Sequence, residues 1–335
     1  MITHASSCNS DVDSQCDYTV ELMIRTKSSR RKSPDYRFDA KGSVATEWTE
    51  RVSGDVHVLQ VRSFLELPWL VHGFSTRTGG SSRLKGQNAL NLGFAEWDTR
   101  EDVLENRRRF QAAMKAPDLT LIALRQIHSD VVCEVEKALV EPCQGDASVT
   151  SRPGILLGIQ TADCVPILLV DPRKRAVAAI HAGWRGTLAR IAQKTIGRMQ
   201  MRFGSKPADL RAALGPAIGG CCYEVGAELV TSFTSQFAGA ADWFDEPRTG
   251  EEPNPLQWLN MMPPGHQPPP KNVRLDLRKA NRAQLLGAGL KAGNIYVSEL
   301  CTACRTDLLF SYRKEGPESG RLMSAIGIRG ASGAP

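Results

Sequence analysis

Two apolar runs of strand length, Val165 to Val170 and Ala176 to Ile180, flank the polar cluster Asp171-Pro172-Arg173-Lys174-Arg175. Neither run alternates with polar residues, so both predict strands with two buried faces. Pro172, second in the cluster, fits the first bend of a type I turn, and the whole reads as a β-hairpin. Pairing Val170 with Arg175 and counting back sets Cys164 opposite His181, where Cβ atoms stand about 5 Å apart. A zinc ion with bonds of about 2.0 to 2.3 Å bridges such a gap.

The pattern on either side supplies the remaining elements. Residues 1–54 read as an extension without regular structure, Ser-rich and carrying the basic cluster Lys27-Ser-Ser-Arg30-Arg31-Lys32. The first alternating strand signal is Val56-His57-Val58-Leu59, and another short strand, Leu70-Val71-His72, leads into the Gly-rich turn Arg77-Thr78-Gly79-Gly80. Backbone amides in such a turn can cradle an anion. Asp98 or Thr99 caps a helix to about Met114, with Val103, Leu104 and Phe110 on its buried side. Leu121 to Val132 predicts two strands meeting at a bend around His128. A helix from Thr187 to about Met201 buries Leu188, Ile191, Ala192, Thr195, Ile196 and Met199. Leu214 ends a strand, Gly219-Gly220 turns the chain, and a helix is expected from there to about Phe237. A helix start behind glycines suits phosphate, but the Lys-Ser/Thr ending of a nucleotide P-loop is absent. Residues 245–271 carry eight prolines and read as an inserted surface loop. Asp276 opens an amphipathic helix stopped by Gly287 and Gly289, and Ile295 to Leu300 is a strand running into Cys301-Thr302-Ala303-Cys304.

Composition narrows the function classes. The chain has 335 residues, a formal charge of +6 and no long basic stripe with interleaved aromatics. Nucleic acid is therefore not an expected partner, whereas small anions are. No apolar run reaches the roughly 20 residues of a membrane span, and the acids near the start argue against a transit peptide. Nine cysteines without a regular framework predict reduced thiols and a cytoplasmic setting. Adjacent Cys221 and Cys222 read as small buried hydrophobes. Cys301 and Cys304 could form a redox pair or half a zinc site, but a second C-x-x-C is missing.

The histidines decide the candidate chemistry. There are six, at positions 4, 57, 72, 128, 181 and 266. His128, Cys164 and His181 would give an ion two nitrogens and one sulfur with one position open, the pattern of a catalytic zinc site. Copper would compete for the same donors.

HGFSTRTGG, RQIHSD, GDA, QTADCVPILLVD, HAGWRG, GPAIGGCCYEV and CTAC…FSYRKEG…GR occur here in the order found in the YfiH-type, or laccase-domain, family, formerly called multicopper polyphenol oxidoreductases. The chain resembles that family over about residues 65–330, apart from the Pro-rich insertion. The resemblance implies an α/β fold, a single domain of mixed β-sheets with helices layered outside, here spanning residues 55–330. It implies His128, Cys164 and His181 as metal ligands and catalytic residues. It also implies purine nucleosides and phosphate as substrates: phosphorolysis of adenosine, inosine and methylthioadenosine, and deamination of adenosine. Gly220 departs from the family, where Pro often precedes the paired cysteines. The older laccase label fails on counting, because a blue-copper site plus a three-copper cluster needs about ten histidines.

Arg77, Gln126, Arg185 and Arg313 are the candidate substrate contacts, and Asp163 is expected to orient a metal ligand from behind. Two other readings fit the same residues. One is a metal-free hydrolase or deamidase with Cys164 as nucleophile and His181 as its base. The other is a non-catalytic, metal-dependent regulator docking through its basic N-terminal segment.

Overall fold

The computed structural model describes residues 47–137, 141–245 and 272–330. These lie within one unit, Phe38–Pro335; the other, Met1–Arg37, falls outside the described residues, as does nearly all of the proline-rich stretch. Twelve strands build two six-stranded sheets: β1 (Trp48–Ser53), β2 (Val56–Val61), β3 (Leu70–Ser75), β4 (Thr120–Ala123), β5 (Val132–Glu134), β6 (Ala147–Thr150), β7 (Ile155–Thr161), β8 (Val165–Asp171), β9 (Ala176–Ala182), β10 (Arg211–Leu214), β11 (Ile295–Val297) and β12 (Leu322–Ile328). The first sheet runs β1-β2-β3-β12-β7-β4 and the second β11-β10-β8-β9-β6-β5. Both are mixed: β4 lies parallel to β7, β5 to β6 and β10 to β11, and the other pairs are antiparallel.

Burial on both faces explains the unbroken apolar runs. Leu168 and Val170 on β8, with Val177 and Ala179 on β9, face Leu59, Phe74, Leu157, Ile159 and Ile326 of the first sheet. The alternate residues Ile167, Leu169, Ala178 and Ile180 point away, onto helices α3 (Ile191–Phe203) and α4 (Leu277–Gly287). Helix α1 (Arg100–Ala113) covers the outer face of the first sheet with Phe110 and Ala113 against Val58, Val71 and Leu156. The layers are helix, sheet, sheet, helix, consistent with the outer helices that the family resemblance implies.

Several local expectations need correction. Regular structure starts before Val56, because Trp48–Ser53 pairs along the whole of β2 and packs Trp48 against Phe74. The hairpin register is two residues from the expected one: Val170 pairs with Val177 and Asp171 with Ala176, so Pro166, not Cys164, stands opposite His181. The cause is Asp171, which extends its strand and accepts hydrogen bonds from the Arg173 and Lys174 amides, while Arg175 takes a left-handed φ of 49°. Thr99 is the N-cap of α1 as predicted, but Leu104 is exposed rather than buried. The helix expected from Thr187 starts earlier, as α2 (Trp184–Leu188), and breaks at Arg190 (φ 63°) before α3. Behind Gly219-Gly220 the chain enters a short strand, Glu224–Gly226, and the next helix begins only at Glu228, so no helix start lies at the glycines to hold phosphate.

The expectation of reduced thiols throughout also fails: Cys133 and Cys143 form a disulfide. The other five described cysteines are free. Among the described residues no helix is long and apolar enough to cross a membrane.

Candidate functional site

His128, Cys164 and His181 come together from three segments, their ligand atoms all within 4.8 Å of one another. Cys164 stands one residue before β8, His181 is the penultimate residue of β9, and His128 lies on the loop that leaves β4 in one sheet for β5 in the other. The two imidazoles meet edge to face with ring centroids 4.9 Å apart. Gly183, after β9, leaves them room: a Cβ there would sit 3.0 Å from Cys164 Sγ and 3.2 Å from His128 Cδ2.

Asp146, fully buried, holds this arrangement in place. Its carboxylate accepts hydrogen bonds from the amides of Ile127 (3.2 Å), His128 (3.0 Å) and Ser129 (2.6 Å), from Ser129 Oγ (2.7 Å), and from His181 Nδ1 (2.8 Å). These amides fix the loop, including His128 in its left-handed φ of 57°. With Nδ1 donating to the carboxylate, His181 turns Nε2 towards Cys164, the orientation in which an imidazole ligates a metal. Burial alone would raise the Asp146 carboxyl, but the bonds from His181 and Ser129 bring it down to about 2. Burial would also raise the Cys164 thiol; the charge on His181 and hydrogen bonds from both histidines outweigh it and favour the thiolate. His181 moves the opposite way, its burial outweighed by Cys164 and Asp146. The two shifts run towards a thiolate at Cys164 and a protonated His181, and an ion ligated by both would take the place of the His181 proton.

Two nitrogens and a thiolate within ligating reach, one imidazole braced by a carboxylate, are donors suited to zinc or copper. The trio could hold such an ion. It lines a cavity of about 630 Å3 with Gln126, Gln160, Trp184, Arg185 and Tyr223, closed further by Tyr312, Arg313 and Arg321. That volume falls in the range of about 300–1,000 Å3 usual for small-molecule sites.

The predicted substrate contacts divide. Arg185 and Arg313 line the cavity, stacked over Trp184 at 4.4 Å and Tyr223 at 5.0 Å. Gln126 lines it too, but its amide is engaged with the backbone of Gln160 in both directions. Arg77 is absent from it. Its guanidinium pairs with Glu315 at 2.8 Å, donates to the Thr306 and Leu309 carbonyls, and lies over Phe310. The neighbouring Gly79 and Gly80 press against the backbones of Asp55 and Ala89, so that turn serves close packing rather than anion binding.

Asp163 does not brace a metal ligand either. Held at a left-handed φ of 98°, it accepts from Thr302 Oγ1 (2.6 Å), Ser311 Oγ (2.7 Å) and the Arg313 amide (2.7 Å). It thus ties two C-terminal segments to the residue beside Cys164. The supporting role expected of Asp163 belongs to Asp146, whose only sequence signal is its place in the GDA motif. Tyr223, Tyr312 and Trp184 were also missed as cavity residues; each sits inside a motif but carries no spacing signal of its own.

Comparison with known proteins gives the family. Residues 71–329 match the family described as multi-copper polyphenol oxidoreductase laccase. A protein of Geobacillus stearothermophilus named purine nucleoside phosphorylase YlmD is 37% identical over 269 residues, covering 77% of this chain and 90% of its own. A Deinococcus radiodurans purine nucleoside phosphorylase is 38% identical over 258 residues, covering 77% and 88%. A protein of an unknown prokaryotic organism named adenosine deaminase RL5 is 34% identical, covering 76% and 93%. The crystal structure of YlmD from G. stearothermophilus superposes with a TM-score of 0.69 at 32% identity, covering 85% of this chain and all of that one. The Bacillus licheniformis YfiH structure gives 0.70 at 30% identity, covering 84% and 99%. With its motifs, its paired sheets and more than two thirds of its length in register with these proteins, the chain belongs to the YfiH/YlmD laccase-domain family, whose relatives here are named for work on purine nucleosides.

Proposed function

We propose that the chain is a zinc-dependent purine nucleoside phosphorylase that converts adenosine, inosine or methylthioadenosine to free base and the pentose 1-phosphate, and that it also deaminates adenosine. The observation that carries this reading is the convergence of His128, Cys164 and His181 in a cavity walled by arginines and aromatic rings. The similarity to proteins named purine nucleoside phosphorylase and adenosine deaminase supplies the substrate class.

In phosphorolysis a phosphate oxygen bonds to C1′ of the sugar while the C1′–N9 bond breaks, and the purine departs with the electron pair and takes up a proton. Arg185, Arg313 and Arg321 supply fixed positive charge for the incoming dianion. Tyr223, Trp184 and Tyr312 offer flat faces to a planar base. His128, Cys164 and His181 would hold the ion, and Asp146 keeps the imidazole of His181 aimed at it. When bound, zinc would supply Lewis acidity. The proposal keeps the chain in the cytoplasm on the strength of Cys164 and the four other free thiols, although Cys133 and Cys143 are paired.

The test is direct. Purified protein incubated with adenosine is expected to release adenine only when phosphate is present, and inosine independently of it. Finding neither product would remove this reading. The shift towards a thiolate at Cys164 beside His181 also suits a metal-free hydrolase or deamidase with Cys164 as nucleophile and His181 as base. Under that alternative His128 is dispensable, and His128→Ala leaves turnover intact.

A further inference from the structure

A second cluster of donors lies outside the trio. Cys221, Cys222, Cys301 and Cys304 place all four Sγ atoms within 4.8 Å of one another. The adjacent pair is not buried as small hydrophobes are: Cys221 is exposed and Cys222 half-buried, while Cys301 is buried and Cys304 exposed. The half-site Cys301-x-x-Cys304 therefore finds its second half in a Cys-Cys pair about eighty residues away along the chain.

We propose that these four cysteines form a closed tetrathiolate metal site that takes zinc and serves structure, not turnover. A tetrahedral ion with Zn–S bonds of about 2.3 Å spaces its sulfurs about 3.8 Å apart. Cys304 Sγ lies 3.6 Å from Cys221 Sγ and 3.4 Å from Cys222 Sγ, close to that edge length and well beyond the roughly 2.05 Å of a disulfide. The Gly219 amide donates to Cys301 Sγ at 3.2 Å, a bond that stabilises thiolate charge. Four protein sulfurs leave an ion no open position, which separates this site from the trio.

Its place in the fold gives it a task. The Ala217 carbonyl accepts from the Thr302 amide, and the Ile218 amide donates to the Asp163 carbonyl. An ion held by both cysteine pairs would clamp the turn leading to Tyr223 onto the turn carrying Thr302, whose hydroxyl holds Asp163. One wall of the nucleoside cavity would thus be fixed by a metal the chemistry never touches.

The test uses the full chain, expressed without metal supplement and purified under reductant, with bound metal quantified alongside X-ray absorption at the zinc edge. His128→Ala/His181→Ala removes two donors of the trio and leaves the four cysteines untouched. This variant is expected to keep one zinc per chain with four sulfur neighbours at about 2.3 Å. Cys301→Ser/Cys304→Ser is expected to lose that equivalent, and cobalt(II) added to the stripped wild-type chain to give the intense visible bands of a tetrahedral thiolate site. A histidine variant without metal, its four thiols reacting freely in the native protein, would overturn the inference, as would disulfides among them. A wild-type chain holding only the sulfur-bound zinc would defeat the metal-dependent reading of the trio and leave this one standing.

Discussion

Asp146 carries more of the trio's geometry than any ligand does, since one carboxylate fixes the His128 loop and the His181 ring at once. Asp146→Asn keeps the shape but gives up the charge and turns one acceptor into a donor. Loss of such a supporting carboxylate usually costs about 10- to 100-fold in metal affinity. A fall in that range, measured by competition with a chromophoric chelator, is the expected outcome, with the fold retained. His72 is a different case. Its Nε2 accepts from the Val61 amide at 2.8 Å, and burial lowers its pKa from 6.5 to about 3. The unfolded chain therefore binds a proton that the folded one refuses, so stability from this residue is full above 6.5 and lost as pH falls towards 3. His72→Gln, which keeps an acceptor, is expected to flatten the pH dependence of the urea midpoint across that window. An unchanged slope would mean another group sets the acid limit.

Elements explain why the trio was legible despite an error in register. Side chains alternate across a strand with a period of two, so a slip of two residues leaves every residue on its face. Cys164 and His181 therefore share a face in both registers, and their meeting with His128 survives the slip; a slip of one would have parted them. The turn was misjudged because Asp171 reads as a loop residue by type, whereas here it is a strand end that caps its own turn. Helix α1 was read correctly at its start because an N-cap is a local device: Thr99 Oγ1 accepts from the Asp102 amide. Thr99→Ala is expected to cost about 0.5–2 kcal/mol in chemical denaturation, with nucleoside turnover at the wild-type level, since α1 lies on the outer face of the far sheet.

At the scale of the whole molecule, the site exists because two sheets share one seam. The loop from β4 to β5 crosses between sheets to deliver His128, while β8 and β9 present Cys164 and His181 from the second sheet alone. Counting histidines found these residues, because so few candidates were available. Contacts made by residues far apart in sequence had no comparable signal. Arg77 meets Glu315 and Asp163 meets Ser311 only once the C-terminal segment has folded back, and the four cysteines gather for the same reason. The mixed sheets with outer helices were expected from the resemblance of the motifs to a known family; the apolar runs by themselves told only that two strands are buried on both faces.

The account stands on the three side chains acting together through one ion, and His128 is the member that separates it from its rival. The decisive measurement is phosphate-dependent adenine release from adenosine by wild-type chain and His128→Ala, compared at equal concentration with the metal content of each sample known. The account predicts that the variant loses one metal equivalent and at least about 100-fold in kcat/KM, a drop of about 2.7 kcal/mol in transition-state stabilisation. Turnover by the variant at the wild-type rate would contradict it.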